Sequence, residues 1–238
     1  MKKAIVIGAS SGIGRSLAEL LARRGYAVAI AGRRVDLLAE VQRRSPNIFQ
    51  IKSIDVAHPA DAMRSFEELI AEMGGMDLAI VSSGVGFPNH DLSWDPECAT
   101  IAVNVAGFAA MANVAARHFA TCGSGHLVGV SSIAALRGNG SAPAYNASKA
   151  FVSNYLEGLR LKFAKLNLPV TVTDVQPGFV NTAMAQGDGL FWVASPEKAA
   201  EQIFDAIKRR RAHVYVTKRW RLIAWLLKIL PAFLHKKL

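Results

Sequence analysis

The chain carries little sulfur. Only two cysteines occur among 238 residues. Cys98 and Cys122 match no Cys-x-x-Cys spacing and have no nearby histidine partner suggesting a metal. They read as small, apolar, reduced residues, and a chain of this length buries a sizeable core without disulfide or metal. Long apolar runs are also missing. The opening MKKAIVIGAS sets two lysines before an apolar stretch, but Gly8 ends it after Ala4–Ile7. A secretory core needs about 7 to 15 apolar residues, so this segment is expected to be a first strand and the protein cytoplasmic. Acid is absent after Asp205. Residues 1–207 hold 18 Lys and Arg against 18 Asp and Glu, so the whole net charge of +10 lies in residues 208–238. A nucleic-acid binder usually spreads basic residues over a folded face. Here they flank an apolar stretch, which argues against nucleic acid and for anionic lipid.

What is present is alternation. AIVI, AVAI, IKSI, DLAIV, HLVGV, VTVTDV and AHVYV read as strands. The stretches between them, such as Gly14–Arg24 and Pro59–Glu72, carry helical spacing. Near-continuous apolar strands separated by helices predict an α/β fold, a doubly wound parallel sheet of about seven strands covered on both faces. No Pro/Ser-rich linker, low-complexity tract or repeat interrupts residues 1–217, so one domain with an appended tail, 218–238, is expected.

GASSGIG, Gly8 to Gly14, follows the first strand and opens the first helix. Glycines at Gly8, Gly12 and Gly14 let the backbone turn tightly and approach a pyrophosphate, and the helix N-terminus supplies free N–H groups. The neighbouring Ser10, Ser11 and Ile13 are counted with this cofactor loop. The second strand ends in AGRR, with Arg33 and Arg34 and no acid before Asp36. An acidic residue there would hydrogen-bond a free ribose 2′-OH, whereas guanidiniums bind a 2′-phosphate. NADP(H) is therefore favoured over NAD(H), in a Rossmann fold.

SSIAALRGNGSAPAYNASKAF contains Ser132, Tyr145 and Lys149. Tyr145 and Lys149 lie four apart at the start of an expected helix over 144–165, and so share a face. A tyrosine acts as general acid toward a carbonyl when its pKa falls below the usual value of about 10, which a cation one turn away would bring about. The serine hydroxyl can hold the substrate oxygen. No clustered His, Cys or Asp calls for a metal.

With these motifs in order, the chain resembles the short-chain dehydrogenase/reductase family over residues 1 to about 217. The matches are Gly8, Gly12 and Gly14, then Asp55-Val56, Asn104, Ser132, Tyr145 with Lys149, and PGFVNT from Pro177 to Thr182. The resemblance implies a tetrad of Asn104, Ser132, Tyr145 and Lys149. It makes Tyr145 the acid/base and Ser132 the substrate-oxygen anchor. It has Lys149 lower the tyrosine pKa and hold the nicotinamide ribose, and Asn104 support a water on a proton relay. It also implies Asp55 and Val56 beside the adenine, and Val180 and Thr182 at the carboxamide, with Pro177 and Gly178 leading into that turn. Ser83 and Gly84 follow the fourth strand on the cofactor side. Members usually form dimers or tetramers, so a homodimer or homotetramer is expected. Two departures stand out. Ile7 replaces the family's usual Thr, and Val81-Ser82-Ser83-Gly84 replaces its Asn-Asn-Ala-Gly.

After the nicotinamide contact, FVNTAMAQGDGLFWVA, residues 179–194, occupies the family's substrate-loop position. Met184, Leu190, Phe191 and Trp192, with Gly187 and Gly189 as hinges, suit a hydrophobic substrate or, equally, ordinary core packing. No Lys or Arg occurs between Lys165 and Lys198, so an acidic substrate is not expected to be recognised from here.

The tail plots as an amphipathic C-terminal helix, with Arg221, Trp225, Lys228, Ala232 and His235 on one side. Ile223, Leu226, Leu227, Leu230 and Leu234 fall on the other. The 13 residues from Leu222 to Leu234, interrupted by Lys228, fall short of the about 20 needed to span a bilayer. A peripheral helix on the inner face of a membrane, a lid over the pocket and a subunit contact all stay open. The expectation is an NADP(H)-dependent carbonyl reductase or alcohol dehydrogenase for hydrophobic substrates, lipid-borne ones included. The alternatives are a soluble reductase of small or acyl-carrier-bound carbonyls whose tail serves assembly, and a non-catalytic nucleotide-binding scaffold.

Overall fold

The computed structural model describes residues 1–184 and 191–231. Seven strands form one parallel sheet: β1 Lys3–Ile7, β2 Ala27–Gly32, β3 Ile48–Ser53, β4 Leu78–Val81, β5 Gly125–Val130, β6 Val170–Pro177 and β7 His213–Val216. Their order is β3-β2-β1-β4-β5-β6-β7. Each expected strand is present. Successive side chains leave a strand on opposite faces, so two cores form. Ile5 and Ile7 point into one, Ala4 and Val6 into the other.

Helices cover both faces. α1 Gly12–Arg23, α2 Val35–Arg44 and α7 Pro196–Lys208 bury Leu17, Leu38 and Phe204 on one side. On the other, α3 Pro59–Glu72, α5 Phe108–Cys122 and α6 Pro143–Lys165 bury Phe66, Met111 and Leu156. α3, α6 and α7 each begin with proline, whose missing N–H costs nothing in a first turn. α4 Trp94–Ile101 runs into α5 through a widened π-helical turn, Ala102–Gly107, which carries Asn104. The continuous helix Trp94–Cys122 is long and apolar enough to cross a membrane, but just over half of its most apolar stretch is buried within the fold. The order reverses between β1 and β4, and the loops leaving their C-terminal ends part there to leave a crevice.

The tail helix, α8 Trp220–Ile229, packs on the domain. Trp220 is buried, stacked on Phe191 at 5.1 Å and edge-on to Phe179 at 5.2 Å between ring centroids. Its indole fills the space that a Cβ on Gly178 would take, 1.9 Å away. The helix is apolar on two sides, which alters the expected division. Ile223 and Leu227 turn inward beside Trp220 and Ala224, but Leu226 points outward. Trp225, expected among the polar residues, joins Leu226 on an exposed apolar face. Packing explains the choice, since the small Ala224 lets the helix approach closely where Leu226 would not. Ala232, Leu234 and His235 lie outside the described residues, as do Gly187, Gly189 and Leu190 of the expected substrate loop. The cysteines also differ from expectation. Both are exposed, and Cys122 Sγ lies 3.6 Å from Nε2 of His118, one turn earlier on α5.

Candidate active site

The crevice opens into a cavity of about 620 Å³. Gly8, Ser10, Ser11, Gly12 and Ile13 form one wall, at the N-terminus of α1. Gly8 has φ +86°, and a Cβ there would lie 2.5 Å from the Ser83 nitrogen. A Cβ on Gly14 would lie 2.2 Å from the Gly8 oxygen, so Gly14 stands behind the loop and lets the helix close on it. The turn is thus compact enough to bare its N–H groups. Arg33 and Arg34 leave β2 on the same side, and Arg34 donates to Ser10 Oγ at 2.9 Å and Ser11 Oγ at 2.8 Å. A guanidinium is therefore held over the loop. Asp55 and Val56 also line the cavity, with Asp55 Oδ1 accepting from the Ala57 nitrogen at 3.0 Å.

The two departures at the C-terminal ends of β1 and β4 are accommodated by backbone. Ile7 and Val81 are buried core residues, and the Ser82 nitrogen donates to the Ile7 oxygen at 2.9 Å. Ser83 Oγ is buried at the cavity wall without a partner among the described residues. An orphaned hydroxyl there, beside a bare helix terminus and two arginines, fits a dinucleotide. Pro177, Gly178, Val180 and Thr182 complete this side, and the Ala194 nitrogen donates to the Phe179 oxygen at 3.0 Å.

Ser132, Tyr145 and Lys149 line the same cavity. Ser132 follows β5 and accepts from the Ala134 nitrogen at 3.1 Å, starting a short 3-10 turn, Ile133–Leu136. Tyr145 and Lys149 occupy one face of α6, with Lys149 Nζ 5.8 Å from the tyrosine ring centroid. Lys149 Nζ also donates to the Val130 oxygen at 3.1 Å. Asn104 stands just behind. Its Oδ1 accepts from the Val85 nitrogen at 2.9 Å, and its Nδ2 donates to the Val85 oxygen at 2.7 Å and Ser148 Oγ at 3.0 Å. Both ends of the amide brace the loop after β4.

A family profile described as short chain dehydrogenase matches residues 2–189. The chain belongs to that family. It is an NAD(P)-dependent oxidoreductase. An uncharacterised oxidoreductase of Myxococcus xanthus is 39% identical over 189 residues, covering 77% of this chain and 74% of the relative. A cis-4-hydroxycyclohexanecarboxylate dehydrogenase of Sinomonas cyclohexanicum is 31% identical over 189 residues, covering 77% and 75%. Among solved structures, a short-chain dehydrogenase from Sphingobium yanoikuyae in complex with NADPH superposes with a TM-score of 0.80 at 23% identity, covering 94% of this chain and 92% of that one. A short-chain dehydrogenase/reductase from Burkholderia phymatum in complex with NAD superposes at 0.83 and 22% identity, with the same coverage. These two likenesses concern the fold.

The electrostatics of this short-chain dehydrogenase differ from the expectation at Tyr145. Burial raises the phenol pKa above 10, while the hydrogen bond with Ser132 pulls it down. Burial outweighs that pull, so the net shift at Tyr145 is upward, and the neighbouring lysine is itself desolvated. Burial lowers the Lys149 pKa to about 8, and the Asp174 carboxylate opposes that fall. Asp174, whose charge acts on Lys149, is a buried carboxylate that sequence reasoning missed. It is buried on β6, accepting from Ser131 Oγ, from Ser153 Oγ at 2.6 Å and from Gln176 Nε2 at 3.0 Å. A charged residue inside the apolar run VTVTDV was the available signal. Gly86 was missed as well. A Cβ there would lie 2.9 Å from the Tyr145 ring, so the loop can lie flat against it. Arg137 was a third omission. It donates to the Leu227 and Leu230 oxygens and caps α8, a contact no local pattern announces.

Proposed function

We propose that this short-chain dehydrogenase interconverts a carbonyl and an alcohol on a hydrophobic substrate, with NADP(H) as cofactor. The observation that carries the reading is that Ser132, Tyr145 and Lys149 share one cavity with the glycine loop and Arg34. The nicotinamide, when bound, supplies or receives the hydride. Ser132 donates to the substrate oxygen and orients it toward Tyr145. The raised tyrosine pKa keeps the phenol protonated at neutral pH, which suits it to deliver the proton in the reducing direction. Lys149, still mostly charged at pH 7 with a pKa of about 8, stabilises the phenolate that remains.

Arg33 and Arg34 present guanidiniums to the 2′-phosphate of NADP(H), where an acid would have favoured NAD(H). Val85, Phe87, Ile133, Phe179 and Met184 give the substrate end an apolar lining. The Sinomonas relative is named for acting on a ring alcohol, which agrees with the proposed reaction class. Tyr145→Phe tests the assignment. It is expected to abolish reduction of a hydrophobic ketone such as a cyclohexanone while leaving NADPH binding nearly intact. Substantial residual turnover would overturn the acid/base role.

A further inference from the structure

Helix α8 has a second apolar face that is exposed among the described residues. Leu222, Trp225, Leu226 and Ile229 are 66%, 64%, 46% and 55% exposed. Their spacing of three, one and three residues makes one continuous stripe on a helix, opposite Trp220, Ala224 and Leu227. Further exposed apolar side chains lie at the N-terminal end of α8, where Trp192 is 6.2 Å from Trp220 between ring centroids. Phe191, Trp192 and Val193 are each more than two-fifths exposed.

Charge identifies what fits this face. Lys218, Arg219, Arg221 and Lys228 are exposed around the stripe, and none forms an ion pair among the described residues. No acidic residue follows Asp205 in the sequence to balance them. Pairing two copies through this face would bring eight like charges together, whereas anionic headgroups complement them. We propose that the outward face of α8 docks in the plane of an anionic lipid bilayer. Its apolar side chains enter the headgroup boundary, Trp225 sits at the interface, and the lysines and arginines reach phosphates.

The helix that docks is fixed to the active-site wall. Trp220 anchors its first turn, and Arg137 holds the Leu227 and Leu230 oxygens at its last. Arg137 follows the turn lining the cavity, and its own carbonyl accepts from Asn146 Nδ2 at 2.7 Å, one residue after Tyr145. A bilayer contact through α8 therefore sets the orientation of the cavity relative to the lipid.

The test is co-sedimentation of the full-length protein with phosphatidylcholine vesicles, with and without phosphatidylglycerol. Binding to the anionic vesicles is expected to exceed binding to the neutral ones by at least about tenfold, and to weaken as salt is raised. Leu222→Gln with Trp225→Gln keeps every charge, and should reduce anionic binding about tenfold or more without altering NADPH affinity. Equal or absent sedimentation of the wild type with both vesicle types would overturn the proposal. So would undiminished binding by the double variant. A wild-type dimer that the double variant converts to monomer, with no vesicle binding by either, would assign the face to a second copy instead.

Discussion

Lys149 makes the free protein less stable than it would be with an apolar residue in its place, and the structure sets the size of the effect. Burial lowers the folded pKa to about 8, against an ordinary value of 10.5 for an exposed lysine. That gap corresponds to about 3 kcal/mol, at about 1.4 kcal/mol per pH unit. Below pH 8 both states hold the proton, and the folded state bears the whole desolvation cost. As pH rises from about 8 toward 10.5 the unfolded chain binds more protons than the folded one, so unfolding free energy increases. Titrating one site with these two pKa values gives a gain of about 2 kcal/mol between about pH 7.5 and 9.5.

Lys149→Met cannot titrate and lacks this gain. Urea unfolding of both proteins across that window isolates it, because all other titrations cancel in the difference. Loss of the attraction from the Asp174 carboxylate adds only a constant offset. The stability of the variant relative to wild type should fall by about 2 kcal/mol from about pH 7.5 to 9.5. A flat difference would refute the claim that the lysine is buried and forced toward neutrality. A difference of opposite sign would mean that ion pairing, not burial, dominates at this site.

Two further outcomes follow from neighbouring residues. Asp174→Asn removes the carboxylate that raises the Lys149 pKa. The alkaline limb of the kcat/KM profile, expected near pH 8 in the wild type from the Lys149 pKa, should move lower, and an unmoved limb would show that the two groups are not coupled. Trp220→Ala empties a buried site between Gly178 and Phe179. It should cost about 3 to 5 kcal/mol in urea unfolding, and a loss near zero would mean that α8 is not held by this anchor.

The fold was legible because strand and helix periods alternate without interruption from residue 1 to 217. Every strand follows an apolar run that a parallel sheet requires, and the prolines at 59, 143 and 196 mark helix starts. The cavity was legible for the same reason. Its glycines, arginines and Ser-Tyr-Lys set are held by backbone geometry that particular residue types demand. What escaped was tertiary. Burial reverses the expected sign at Tyr145, and desolvation depends on neighbours far away in sequence. Asp174 acts on Lys149 from β6, 25 positions along the chain. Arg137 reaches α8 across 90 positions. The helical period of the tail predicts one apolar face, yet α8 uses one apolar side for the domain and leaves a second exposed. A helical period shows which residues share a face. It does not show which of two apolar faces the protein will cover.

The most direct test of the account is a fluorescence titration of the purified protein with NADPH and with NADH at fixed ionic strength, repeated with Arg33→Ala combined with Arg34→Ala. The account predicts NADPH binding at least about tenfold tighter than NADH in the wild type, with the double substitution removing most of that preference while NADH binding changes little. Equal affinity for both cofactors in the wild type would contradict the 2′-phosphate assignment. Binding of neither would contradict the reading of the cavity as a dinucleotide site.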